Sequence, residues 1–216
     1  MPIQRTKTVR LDMTVSDRAP TYSRRSQIRH LVAGRVLRLQ EGYLSGGSSE
    51  RGALAALRKG FALGPGQNPE VWELTSVPAD ADVPFDTPTW SERAVHDALT
   101  LYSWHQQSRN DPMHTQKRTL SRAVGELAYR KRDNEGQSKA VRRRFDAAVT
   151  ATTERELVHH LRGLIGQLRS EGIAFDYGEL ASDLYQFQAP GGASTVRLKW
   201  ARQFAGLPAG EKEKLS

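Results

Sequence analysis

Apolar residues return at spacings of three and four along most of the chain, with polar residues between them. Ile28, Leu31, Val32, Val36, Leu39 and Tyr43 trace one such stripe, which predicts a helix from Ser23 that Gly46 and Gly47 stop. Ser48 or Ser49 is suited to cap a second, short helix with Ala53, Leu54 and Leu57 inward. Arg51, Arg58 and Lys59 lie outward on it, and Gly60 is placed to end it in a left-handed conformation. Five of the ten prolines fall between Gly64 and Pro88, so that stretch reads as a surface loop with one short anchored piece at "VWELTSV".

Thr89 and Glu92 form a capping box, in which hydroxyl and carboxylate each satisfy an orphan amide, and the helix they start runs to about Gln107. Its stripe is Ala94, Ala98, Leu101, Tyr102 and His105, widened by Val95 and Leu99. After the break at "SRNDPMH", Leu120, Val124 and Leu127 mark another helix. Val141, Phe145, Ala148 and Val149 mark the next. A Thr153 to Glu156 box opens the stripe Leu157, Leu161, Leu164, Ile165 and Leu168. Asp176 and Glu179 open Leu180, Leu184 and Phe187, which "APGG" terminates. Val196, Trp200, Ala201 and Phe204 form the last helix, ended by Gly206. No alternating strand run bounded by hairpin turns occurs, so the expected fold is all-α: a multi-helix bundle without significant sheet, as one body or two packed lobes. Residues 1–22 read as a flexible basic arm, 23–206 as the helical domain and 207–216 as a charged tail.

Charge changes this picture. Lys and Arg number 32 against 24 Asp and Glu, a net +8, so the surface field attracts polyanions, nucleic acid first among them. The basic residues are spread over several segments instead of one clean face opposite large apolar residues, which disfavours a membrane surface. No apolar run is long enough to cross a bilayer, the first twenty residues lack a secretion-signal core, and the absence of cysteine suits a reducing cytoplasm, where the protein is expected to reside.

At 100° per residue Lys139, Arg142 and Arg143 share one side of their helix, away from Val141, Phe145 and Val149. Like charges at that spacing repel, so helix stability does not call for them, although a solvated face would explain one cluster. Clusters recur, however: Arg58 with Lys59; Lys117, Arg118 and Arg122; Arg130 to Arg132; Lys139 to Arg144; and Arg162. Lys117, Arg118 and Arg122 crowd a helix N-terminus, where the macrodipole disfavours cations. Cations distributed over a helical scaffold suit a phosphate backbone, bound without reading sequence.

Catalytic chemistry finds little footing. Cysteine nucleophiles and cysteine metal sites are excluded by composition. Glu156 and His159 have Glu-x-x-His spacing but no second copy, and Glu156 is better used as a cap. His96 and His105 project from opposite sides of their helix, and His114 lies beyond a proline. Trp90 and Trp104 read as packing or interface aromatics, not a base-stacking platform. No phosphate-binding loop, dinucleotide fingerprint, zinc-protease motif or nucleophile elbow is present, so no enzyme, cofactor or metal is expected.

The order "RLQEGYLSGGSSERGALAALRKG", "SERAVHDALTLYSWHQQ", "LSRAVGEL", "SKAVRRRFDAAVTATTERELVHHLRGLIGQLRSEGIAFDYGELASDLYQF" and "VRLKWARQF" resembles the CasB family, the small subunits of the type I-E CRISPR surveillance complex, Cascade. The resemblance covers about residues 31–206, apart from the Pro-rich loop. It implies an all-helical, non-catalytic subunit that sits beside the other Cascade subunits as two copies, head to tail. Such a subunit helps hold the crRNA–target DNA heteroduplex and the displaced strand through backbone charge. It also implies nucleic-acid contacts from Arg58, Lys59, Lys117, Arg118, Arg122, Lys139, Arg142, Arg143 and Arg162. Arg144 turns away from the others and is suited to pair with Asp146 or a neighbouring subunit. A different class, a sequence-specific helix-turn-helix regulator, would require a compact turn and recognition helix, which the sequence does not demand.

Overall fold

Residues 23–78, 86–132 and 138–205 are described by the computed structural model. The expected arm and tail, and the stop at Gly206, lie outside them. Helix α4, Trp90–Gln106, is the one about which the others gather. Its expected stripe from Ala94 to His105 is buried throughout, and at its start Thr89 and Glu92 make the full capping box. Helices α1 (Arg24–Leu44), α2 (Ser48–Gly60), α7 (Glu154–Ser170) and α8 (Tyr177–Gln188) all pack against it. Helices α5 (Leu120–Arg130), α6 (Lys139–Thr150) and α9 (Gly192–Ala205) extend the bundle beyond α7 and α8. A 3-10 turn at Pro69–Val71 and a four-residue helix α3 (Trp72–Thr75) form the anchored piece of the Pro-rich loop.

The architecture is an all-α multi-helix bundle with no sheet among the described residues. The one extended feature is an isolated parallel bridge between His114 and Phe175. One apolar core continues from α1 to α9, so the elements share a single interior. Each fully buried Leu, Ile or Phe in it is worth roughly 1.5–3 kcal/mol relative to exposure. The starts of five helices besides α4 are fixed by side chains: Ser23, Thr119, Ser138, Thr153 and Asp176 each accept from the amide three residues on.

Several local expectations change. Helix α2 starts from Gly47 without a side-chain cap, and Gly60 remains helical and buried inside its last turn. Gly46, at φ +89°, supplies the left-handed turn, one loop earlier. The Glu156 carboxylate reaches past Thr153 to accept from the amide and hydroxyl of Thr152, at 2.8 and 3.1 Å. Ala201 is exposed, because α9 buries only Val196, Trp200 and Phe204 of its expected face.

The break after α4 is not a plain surface loop. Met113 and His114 are buried, and their backbone pairs with the α7–α8 connection: Phe175 N donates to Met113 O, and Asp176 N to Arg118 O at 2.7 Å. The Gln106 amide closes the turn, accepting from Met113 N and donating to the carbonyls of Arg109 and Asp111. Below it the Tyr177 hydroxyl stands 3.0 Å from His105 Nδ1, with Phe175 stacked on both rings. At the far end, buried Asp183 receives Arg25, Lys199 and the Trp200 indole N–H, at 3.1, 2.7 and 2.8 Å, which ties α1, α8 and α9 together.

Candidate nucleic-acid interface

Helices α4 and α7 run in parallel, since Glu154 at the start of α7 lies by Arg93 and Asp97 while Arg169 near its end lies by Trp104. The C-terminal end of α2 closes on the same stretch of α4. Arg58 donates to Ser103 O at 3.5 Å, and Phe61 follows one turn later. Burial lowers the Arg58 guanidinium from its ordinary value, but arginine stays charged across the physiological range. Lys59 is well exposed and faces Glu70 at 3.9 Å, a contact worth little in water.

Arg162, from the middle of α7, stands over two rings, 4.3 Å from the Phe61 centroid and 4.8 Å from that of Trp104. Arg169, on the same face of α7, lies 4.3 Å from Trp104 and donates to Trp104 O and Gln107 Oε1. Arg58 and Arg162 are therefore brought together around α4, with Phe61, Trp104 and Arg169 as partners that no single periodic pattern in the sequence groups with them. The spacing held a signal: Arg162 and Arg169 are two turns apart, with the small Gly166 between them on that face.

The remaining expected cations sit in the turn before α5, on α5 and on α6. Arg118 is held by Glu126 at 3.0 Å and donates to Ala174 O, so its charge is turned into the fold. Lys117 and Arg122 are exposed beside it. Lys139, Arg142 and Arg143 are exposed along α6, opposite buried Val141, Phe145 and Ala148. Arg142 approaches Asp146 at 3.6 Å and lies 5.2 Å from the Phe204 ring centroid. The acid considered for Arg144 thus serves Arg142, while Arg144 turns toward Gln167 on α7. Of Lys117, Arg122, Arg143 and Arg162, none is ion-paired among the described residues.

Histidine and carboxylate groups are scattered by comparison. Among the described residues no group of three could hold a metal ion. His96 faces Asp97 and the α2 end, whereas His105 points to Tyr177, as their opposite helical angles require. Burial, helped by Arg169 and Arg109, lowers His105 to about 3, so the imidazole is a neutral core group. Glu156 faces His160 at 3.8 Å instead of forming a site with His159. Trp90 is partly exposed, edge-on to Tyr185 at 6.1 Å. Among the described residues no helix is long and apolar enough to cross a membrane.

These features define a class: a small all-helical protein that carries guanidinium groups on α6 and gathers others around aromatic rings between α2, α4 and α7. The family model described as CRISPR-associated protein Cse2 matches residues 53–204, and the chain belongs to that family. The crystal structure of CasB from Thermobifida fusca is similar at 35% identity and a TM-score of 0.68, covering 83% of this chain and 98% of that one. A Cse2-family CRISPR-associated protein from Thermus thermophilus is similar at 25% identity and a TM-score of 0.61, with coverage of 83% and 98%. A structure of CasB from Thermus thermophilus, at 24% identity and a TM-score of 0.59 over 86% and 100%, shares the fold. No curated protein matches the chain.

Proposed function

We propose that this chain is a non-catalytic structural subunit of a Cascade-type, RNA-guided DNA surveillance complex, and that it binds nucleic-acid backbone without reading sequence. Its partners are crRNA and target DNA, the other subunits of the complex, and a second copy of itself. Its role is to stabilise the guide–target heteroduplex and the displaced strand, leaving recognition to base pairing. Family membership supports the setting. The observation that carries the binding role is a set of cations that no carboxylate among the described residues neutralises: Lys117 just before α5, Arg122 on α5, Arg143 on α6 and Arg162 on α7. Such groups release counterions from a phosphate backbone on binding.

The test is the salt dependence of binding by the full-length protein to single-stranded and duplex oligonucleotides of mixed sequence. Charge reversal at Arg142 and Arg143 is expected to weaken both alike and to reduce the slope of log affinity against log salt by about one per lost contact. An unchanged slope, with Arg122→Glu added, overturns the reading. A strong preference for one duplex sequence does so too, in favour of a regulator.

A further inference from the structure

We propose that Trp104 is a positioning residue of this interface: with Phe61 it fixes the Arg162 guanidinium in advance, so that its N–H edge meets a phosphate. The inference rests on the reading of the chain as a nucleic-acid-binding subunit, and it assigns one ligand chemistry, the phosphodiester, to the seam between α2, α4 and α7.

Arg162 touches two rings supplied by two other elements and pairs with no carboxylate among the described residues. Guanidinium groups have five donors and no acceptor, so a half-buried one without an acid is an electrostatic demand that a polyanion would meet. Rings satisfy none of its N–H donors as a carboxylate would, so those donors remain for an anion, and their fork matches two phosphate oxygens. A long flexible side chain would ordinarily lose its rotamer freedom on binding. Here the rings have already restricted it.

Arg169 has the complementary task. Its Nη1 donates to Trp104 O at 3.4 Å and to Gln107 Oε1 at 3.3 Å, so it braces the end of α4 that carries the indole. Arg162 and Arg169 are seven residues apart, roughly 10 Å along a helix axis. The indole, within 4.8 Å of one and 4.3 Å of the other, fills the interval. A base-stacking platform needs an open ring face, and this ring has a guanidinium over it from each of two turns of α7. Trp104 Nε1 is buried without a hydrogen-bond partner, so packing and the two cations hold the ring, where a core tryptophan usually pairs its N–H.

The experiment is a double-mutant cycle on the full-length protein, read by fluorescence anisotropy of labelled single-stranded and duplex DNA over a range of salt. Trp104→Leu and Arg162→Gln are each expected to weaken binding about tenfold and to lower the salt slope by about one. The double variant should be no weaker than Arg162→Gln, and Trp104→Phe should stay within about twofold of the parent, because a ring remains. Effects that multiply, or a Trp104→Leu loss at unchanged slope, would show a structural role only and overturn the proposal. Should Trp104→Leu not fold, Phe61→Leu reads the second ring: it is expected to cost about threefold and to have no effect in the Arg162→Gln background. Full affinity in Arg162→Gln, alongside weakened binding in Arg122→Glu with Arg143→Glu, overturns this inference and leaves the proposed function standing. Full affinity in all of these variants overturns both.

Discussion

The Arg118 guanidinium stands 3.0 Å from the buried carboxylate of Glu126, which it shares with Arg130 one turn further along α5. By position in the sequence Arg118 belongs with Lys117 and Arg122 as a phosphate contact. By geometry it neutralises a buried acid and, through Ala174 O, holds the α7–α8 connection. Removing one partner of a buried pair leaves the other desolvated and uncompensated. Because Arg118 is about one-third exposed and Glu126 keeps Arg130, the expected loss for Arg118→Ala is about 1–2 kcal/mol, well under the full cost of breaking a buried pair. Denaturant unfolding checks the stability. The salt slope of DNA binding should stay as in the parent for Arg118→Ala and fall by about one for Arg122→Ala.

Gly178 lies where α8 packs tightly on α1, the most extensive helix contact among the described residues. A Cβ there would stand 2.6 Å from Arg29 O and 2.9 Å from the Ala33 methyl, and backbone cannot yield as a side-chain tip can. Gly178→Ala is therefore expected to cost about 2–3 kcal/mol in unfolding free energy, despite the better helix propensity of alanine. A midpoint equal to or above that of the parent would show that α1 moves aside freely.

The helical stripes could be read from the sequence because each follows one period over three or more turns and is interrupted by caps and glycines with known chemistry. Ile28 to Leu39 and Leu157 to Leu168 are examples, both buried along their length. The polar interior could not be read that way. His105 falls on the expected stripe of α4, but Gln106, His114 and Tyr177 look like loop or surface residues until the Met113–His114 segment is laid against Phe175, a contact between residues some sixty positions apart with no periodic trace. The charge clusters were legible as composition, since Lys139, Arg142 and Arg143 do share an exposed face. Whether a given arginine is neutralised was not. Glu126 lies on the largely buried side of α5, and only the fold turns Arg118 toward it. The aromatic seam was hidden for the same reason: Phe61, Trp104 and Arg162 come from three elements.

Acid stability should carry the signature of His105. Its imidazole is lowered to about 3, first by burial and then by Arg169 and Arg109, while in the unfolded chain it titrates near 6.5. His114 is lowered as well, again mainly by burial. Between those values the unfolded state binds the extra proton. Stability is thus fully present above about 6.5 and is lost as the pH falls toward 3. For His105 alone the loss from pH 7.5 to pH 5 is about 2 kcal/mol. His105→Phe gives up the Tyr177 contact and should be less stable at neutral pH, but its stability should fall less steeply below pH 6.5 by close to one proton. An unchanged slope would assign the acid sensitivity to another group.

Glu154 should act in the opposite direction and in a higher window. It opens α7 with Oε1 buried and unpartnered, and burial, reinforced by Asp97 and opposed by Arg93, pushes its carboxyl up to about 8. A carboxyl raised from 4.5 contributes stability that is fully present below that value and is lost as the pH rises through about 8. The helix N-terminus favours the ionised form and moderates the loss, leaving about 1–3 kcal/mol at pH 8.5. Glu154→Gln has no proton to release, so its stability should be close to that of the parent at pH 4.5 and exceed it at pH 8.5. Parallel stability curves for the two proteins from pH 4.5 to 9 would mean that the carboxylate finds solvent or the Arg93 guanidinium once ionised. The seam between α4 and α7 would then be neutral to pH at its acidic end.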